Sequence, residues 1–270
     1  MPELASAAAR AGLVIEVGGL PIRLCVDDPS FLNQLKSYYD SFISSSRPLF
    51  EFEVDLAAPG RISPEQDVHV QWDSGRWTMR RGDFHADWDP AAGQGRIRQT
   101  PNRYSVDAVL RIVHTLLLAK EGGFLLHASS GVRNGHAFLF SGVSGAGKTT
   151  IARLAPPDVT LLTDEISYIT RQGESYSAFG TPFAGDLQKA GANLKAPIAA
   201  LYLLTKGDKN EMEPLDEMTA ARELMRNILF FAEDPEMVKL VFESACDFVG
   251  RVPVHRLTFV PDARVWELIG

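Results

Sequence analysis

Only two cysteines, Cys25 and Cys246, occur in the 270 residues. Neither forms a CxxC pair or neighbours a histidine pair, which argues against a disulfide framework and a cysteine zinc site. Each lies in an apolar stretch and reads as a buried, inert thiol. Excess positive charge is missing too: lysine and arginine total 27 against 34 aspartates and glutamates, for a formal net charge of −7. Such a chain lacks the basic footprint that phosphate backbones require, so no nucleic-acid partner is expected. There is no apolar run long enough to cross a bilayer, and the alanine-rich start has no apolar core of export-signal type. No membrane partner is therefore expected, and the expected location is cytoplasmic. Internal repeats, a G-x-S-x-G elbow and a dinucleotide G-x-G-x-x-G fingerprint are absent as well. His69, His85, His114, His136 and His255 are scattered, without metal-ligand spacing.

What is present is an ordinary globular composition, 45% hydrophobic and 23% charged. The first hundred residues read mostly as strands, at 13–17, 21–26, 49–56, 68–72, 77–80 and 84–88, separated by Gly, Pro and Asp clusters. A helix is expected over 30–44, with Phe31, Leu35, Tyr38, Tyr39 and Phe42 near helical spacing and Asp28 or Ser30 as caps around Pro29. Trp72, Trp77 and Trp88 read as sheet packing, with an aromatic surface for a peptide or sugar acceptor as the alternative. Ser105 is a candidate cap for a helix to about residue 121, striped by Val106, Val109, Leu110, Val113, Leu116 and Leu117 and stopped by Gly122-Gly123. The expected division is a β-rich domain over 1–103 and an α/β domain over 104–270. In the second, strands are expected at 124–129, 136–141, 159–162, 166–170, 175–179, 197–204 and 254–259. Helices are expected from 149 to about 154, over 219–231 and over 235–249, with Asp262 capping a short final turn. Asn134-Gly135 is a two-residue hairpin signal.

The segment Gly142, Val143, Ser144, Gly145, Ala146, Gly147, Lys148, Thr149 fits G-x-x-x-x-G-K-[ST] in full, with Thr150 following. An apolar strand precedes it and a helical pattern follows, the context the motif needs. Glycines let the main chain turn tightly and approach phosphate oxygens, and successive N–H groups then face the anion. Lys148 adds a mobile positive charge at the β- and γ-phosphates, and the Thr149 hydroxyl can coordinate Mg²⁺. ATP and Mg²⁺ are therefore the expected cofactors.

Asp164-Glu165 follows the apolar run ending at Thr163 and brings two acids toward the terminal phosphate. One can hold Mg²⁺, and the other can accept a proton from an incoming hydroxyl. His127 lies on the strand folded back by Asn134-Gly135, near the phosphate end, where an imidazole could orient an acid or tune its pKa. Asp186 and Glu174 are candidates for a further magnesium contact, and 180–186 for a mobile loop over the acceptor.

The order His127, hairpin, glycine-rich loop, acid pair resembles the kinase core of bacterial HPr kinase/phosphorylase, and the loop is similar to that of phosphoenolpyruvate carboxykinase. The motif-level likeness covers about 124–179. It implies a mixed-sheet P-loop kinase domain of that type, preceded by the β-rich N-terminal domain. By that likeness Lys148 grips phosphates, Thr149 binds magnesium, Glu165 matches the proton-accepting aspartate, Asp164 its neighbour and His127 the active-site histidine. The second acid is Glu here where the family has Asp, and the family's downstream Glu-Arg-Gly signature is absent. The chain looks more like diverged HPr-kinase-related proteins, some of which phosphorylate a serine on a modified-peptide precursor. The implied activity is transfer of the γ-phosphate of ATP to a protein, peptide or small-molecule hydroxyl, and the implied assembly is a homo-oligomer. Two alternatives stay open: a carboxykinase-like transfer, and a nucleotide-binding sensor without phosphotransfer.

Overall fold

The structure, a computed structural model, describes residues 11–57 and 67–270; the alanine-rich residues 1–10 lie outside these. The described chain is mixed α/β, with two mixed sheets. It divides into two compact units, Met1–Val109 and Leu110–Gly270.

The first unit is built on β1 (Gly12–Val17), β2 (Leu20–Val26), α1 (Pro29–Tyr38), β3 (Phe50–Leu56), β4 (His69–Asp73), β5 (Arg76–Arg81), β6 (Phe84–Asp89) and β7 (Gln94–Gln99). Their sheet has the order β1-β2-β3-β7-β6-β5-β4. Pairing is antiparallel except where β3 lies parallel to both β2 and β7. Apolar and polar residues alternate along β1 and β6, which buries one face of each strand. Trp77 and Trp88 face each other across β5 and β6 and are buried, as the packing reading expected, whereas Trp72 is exposed. β7 was not anticipated, because Gln-Gly-Arg-Ile-Arg-Gln has only one strongly apolar residue. The helix expected over 30–44 is shorter. Asp28 caps it by accepting from Phe31 N, α1 stops at Tyr38, and a separate 3-10 turn spans Asp40–Phe42.

α2 (Arg103–Lys120) crosses the division at Val109. Its cap is Asn102, whose side chain accepts from Ser105 N at 3.0 Å; Ser105 itself donates to Asp83. The helix is buried on more than the one expected stripe, since Ile112, His114, Thr115 and Leu118 are also covered.

The second unit continues with β8 (Phe124–Arg133), β9 (His136–Ser141), α3 (Lys148–Arg153), β10 (Thr160–Thr163), β11 (Ile166–Gln172), β12 (Ser175–Phe179) and β13 (Lys195–Lys206). It ends with β14 (Glu211–Pro214), α4 (Glu217–Met225), β15 (Ile228–Leu229), α5 (Pro235–Val249), β16 (Val254–Phe259) and a 3-10 turn, Ala263–Leu268. Two long strands organise it by changing partners midway. The first half of β8 pairs with β11 and β15, its second half with β9 and β10. The start of β13 pairs with β12, and the rest runs parallel to β9 and β16. One apolar cluster gathers Leu126, Leu139, Leu201, Leu224 and Phe248, bringing α4 and α5 onto the strands. Another gathers Phe140, Ile151, Tyr202, Phe259 and Trp266, packing α3 and the C-terminal turn together.

The helix expected over 219–231 ends at Met225, because Ile228 and Leu229 instead pair with Leu126 and Leu125 of β8. Asp262 caps the final turn as expected, accepting from Arg264 N. Cys25 is buried, but Cys246 is exposed, on the outer side of α5, so only the first fits the buried-thiol reading.

Candidate functional site

The site grows out of the point where β8 changes partners. His127 is paired with Ile166 of β11, and the next residue, Ala128, is paired with Ser141 at the end of β9. The strands β11 and β9 thus separate at His127, and the turn Asp164-Glu165 enters beside it. Ala128 N donates to Glu165 O at 3.0 Å, and His127 N to Asn227 O at 2.8 Å. The Thr163 hydroxyl accepts from Glu165 N and Ile166 N at 3.1 and 3.2 Å, which fixes the turn. These bonds aim the Glu165 side chain at His127, with Oε1 3.4 Å from Nε2.

The Asn134-Gly135 hairpin sets the register that delivers Ser141 to this same place. Ser141 Oγ donates to His127 O at 2.9 Å, and Ser129 Oγ to Lys148 O at 3.0 Å. Two buried serines therefore tie the glycine-rich loop to β8. The crest of the loop, Val143, Ser144 and Gly145, is exposed, while Gly142 and Ala146 are buried. Gly147 has φ +115°, and a Cβ there would lie 2.6 Å from the Phe259 ring. Glycine is required at this position twice over, for conformation and for space. Thr149 and Thr150 are in the first turn of α3, half-buried. The helix is held from beneath by Trp266, whose Nε1 donates to Ile151 O at 3.2 Å.

Lys148 Nζ donates to Gly142 O and Val143 O at 2.9 and 3.3 Å. Burial lowers the pKa of this ammonium, and the Glu165 charge works the other way. Glu165 is held below the usual carboxylate range, first by its hydrogen bond with His127. Desolvation opposes that shift, and the charges of His127, Arg111 and Lys148 add to it. Glu165 is thus held in its ionised form.

The two acids do different things. Asp164 is 3% exposed, and its oxygens accept from Gly185 N at 2.9 Å and Leu187 N at 2.8 Å. It clamps the 185–187 turn. Asp186, between those two residues, is exposed, and its Oδ2 is 3.4 Å from the Thr149 hydroxyl. The loop is further pinned where Thr181 N donates to Leu162 O and Ala192 N to Leu161 O, an anchored excursion along β10. Gly185 lies against both acids: a Cβ there would meet Glu165 Oε2 at 2.7 Å and Asp164 Oδ2 at 3.0 Å. Glu174 is elsewhere. It occupies the turn joining β11 to β12, where its carboxylate accepts from Arg251. That turn lies beyond the end of β11 remote from His127, so Glu174 drops out of the magnesium set.

Among the described residues no group of three His, Cys, Asp or Glu side chains could by itself hold a metal ion. The hard oxygen donors Thr149 and Asp186 suit Mg²⁺, which commonly takes one or two carboxylates together with phosphate oxygens. No helix of the described residues is long and apolar enough to cross a membrane. Sequence reasoning missed the anchors Ser129, Thr163 and Asn227, together with Gly185 and Arg111. A Ser129-Ser130 pair inside a buried apolar strand was the signal available for the first.

The fold and the glycine-rich loop together define a mixed α/β protein with a P-loop sequence between a strand and a helix. The model of the family described as SynChlorMet cassette protein ScmC matches residues 99–270, and the chain belongs to this family. Among solved structures, the Hpr(Ser) kinase/phosphatase from Coxiella burnetii is similar at 10% identity, over 50% of this chain and 84% of that one, with a TM-score of 0.27. No curated protein matches.

Proposed function

We propose that the second unit is an ATP-dependent phosphotransferase acting on a hydroxyl group. The observation that carries the reading is the meeting of three things at one end of β8: the glycine-rich loop, the Glu165–His127 pair and the Thr149–Asp186 pair. The loop amides would take the phosphates, and Lys148 would exchange its two carbonyl partners for the β- and γ-phosphate oxygens. Thr149 and Asp186 would hold Mg²⁺, which supplies charge neutralisation on the phosphates when bound.

Glu165 then receives the proton of the attacking hydroxyl. The new bond forms between that oxygen and the γ-phosphorus, and the bond from the γ-phosphorus to the β–γ bridging oxygen breaks. The electron pair stays on the β-phosphate, beside Lys148. His127, 3.4 Å from the carboxylate, orients Glu165 toward the incoming hydroxyl so that it can accept the proton. Asp164 positions rather than reacts, because its oxygens hold the turn that carries Asp186. The acceptor is a serine of a protein or peptide, or a small alcohol.

Glu165→Gln separates binding from transfer. The variant is expected to bind ATP–Mg²⁺ as wild type does and to lose transfer by about 10²–10⁴-fold, the usual range for general-base removal. Equal transfer by the variant would contradict the role given to Glu165. Tight ATP binding by wild type with no transfer, even to water, would favour a nucleotide sensor.

A further inference from the structure

Arg111 stands out because the fold leaves it unpartnered beside the acids. It lies on α2 within the second unit, half-buried, and its Nε is buried without a hydrogen-bond partner. Its guanidinium sits over the Phe183 ring, 5.1 Å from the centroid. Phe183 is fully buried and two residues before Gly185, where a Cβ would meet Glu165 and Asp164 oxygens at 2.7 and 3.0 Å. One turn further along α2, His114 packs edge-on against the same Phe183 ring. The Arg111 charge also adds, after the His127 hydrogen bond and charge, to the lowering of the Glu165 pKa.

A buried guanidinium N–H such as Arg111 Nε usually finds an acceptor, and buried donors rarely stay unsatisfied. Arg111 makes no ion pair or hydrogen bond among the described residues. Its charge is instead supported by an aromatic face, an arrangement that holds the planar fork while leaving its edge for an oxyanion.

We infer that Arg111 is a second oxyanion-binding cation of the site, engaging the terminal phosphoryl group of the nucleotide. This rests on the phosphotransferase reading above. Lys148 comes from the loop and Arg111 from a helix outside the motif, so the phosphoryl group would be held by charges from two separate elements. In a transfer reaction the charge on the phosphoryl oxygens is where a fixed guanidinium is most effective.

The test is calorimetric titration of the full chain with ADP–Mg²⁺ and ATP–Mg²⁺, for wild type, Arg111→Met and Arg111→Lys. Methionine keeps the apolar stem over Phe183 and removes the charge. Arg111→Met is expected to bind ADP as wild type does and to lose about tenfold or more of the preference for ATP over ADP. Arg111→Lys should recover part of that preference. If wild type prefers ATP and Arg111→Met keeps the full preference, Arg111 does not reach the phosphoryl group and the inference is overturned. If both nucleotide affinities are unchanged in Arg111→Met and only the KM for the acceptor rises, Arg111 serves an anionic group of the acceptor and the inference is likewise overturned. If wild type binds neither nucleotide, the nucleotide reading of the loop itself fails, and this inference fails with it. If Arg111→Met weakens ADP and ATP equally, the arginine is structural.

Discussion

Acid should loosen the second unit through His114. Its ring is 1% exposed, packed edge-on against Tyr168 with centroids 5.4 Å apart, and Nδ1 has no hydrogen-bond partner. Burial alone lowers its pKa from 6.5 to about 3. A histidine depressed in the fold is neutral there and charged in the unfolded chain below pH 6.5. The unfolded state therefore binds more protons between pH 6.5 and about 3, and stability falls as pH drops through that window. Above pH 6.5 the contribution is fully present. One proton of difference is worth about 1.4 kcal/mol per pH unit, so lowering pH from 6.5 to 5 should remove about 2 kcal/mol. His114→Phe keeps an aromatic ring between Tyr168 and Phe183 and removes the titration. Hydrogen exchange of peptides covering α2 and β11, corrected for intrinsic rates, reads the opening free energy at pH 7.5 and 5. Wild type should lose about 2 kcal/mol more than the variant between the two pH values. An equal acid loss in both proteins would refute the assignment of the effect to His114. Because His114 also touches Phe183, the loss should reach the loop that carries Gly185 and Asp186.

The two remaining perturbations concern that loop. Asp164→Ala leaves Gly185 N and Leu187 N without their acceptor, at about 1–3 kcal/mol each. It is expected to lower thermal stability and raise the Mg²⁺ concentration needed for turnover; unchanged Mg²⁺ dependence would contradict the clamp. Gly185→Ala introduces a methyl 2.7 Å from Glu165 Oε2 and 3.0 Å from Asp164 Oδ2, which forces a shift costing about 1–3 kcal/mol. Turnover should fall more than ATP affinity, and equal activity would show that the close approach has no bearing on Glu165.

Much of this site could be read from residues in sequence. The glycine-rich loop announces itself because its glycines, Lys148 and Thr149 are fixed by local backbone geometry. Asn134-Gly135 gave the hairpin, and with it the register that brings His127 to the loop end of β8. Asp186, named together with Glu174 as a candidate for a further magnesium contact, lies 3.4 Å from the Thr149 hydroxyl. The division of labour between Asp164 and Glu165 was not legible, because it depends on which acid meets the amides of Gly185 and Leu187, a contact made across the fold. Glu174 had the right chemistry at the wrong end of β11. Arg111 gave no periodic signal, since it interrupts an apolar helix and acquires meaning only from Phe183, far away in sequence. β15 was hidden because two residues pairing with β8 cannot be told from the end of α4 by hydrophobic period.

The central claim is that Lys148 and the loop amides bind a nucleotide phosphate chain beside an ionised Glu165. It is tested most directly by incubating wild type and Lys148→Ala with γ-labelled ATP and Mg²⁺ and measuring both bound nucleotide and released or transferred label. Wild type should bind ATP and move the label, and Lys148→Ala should do neither to a measurable extent. A Lys148→Ala protein that binds ATP and moves label like wild type would contradict the account.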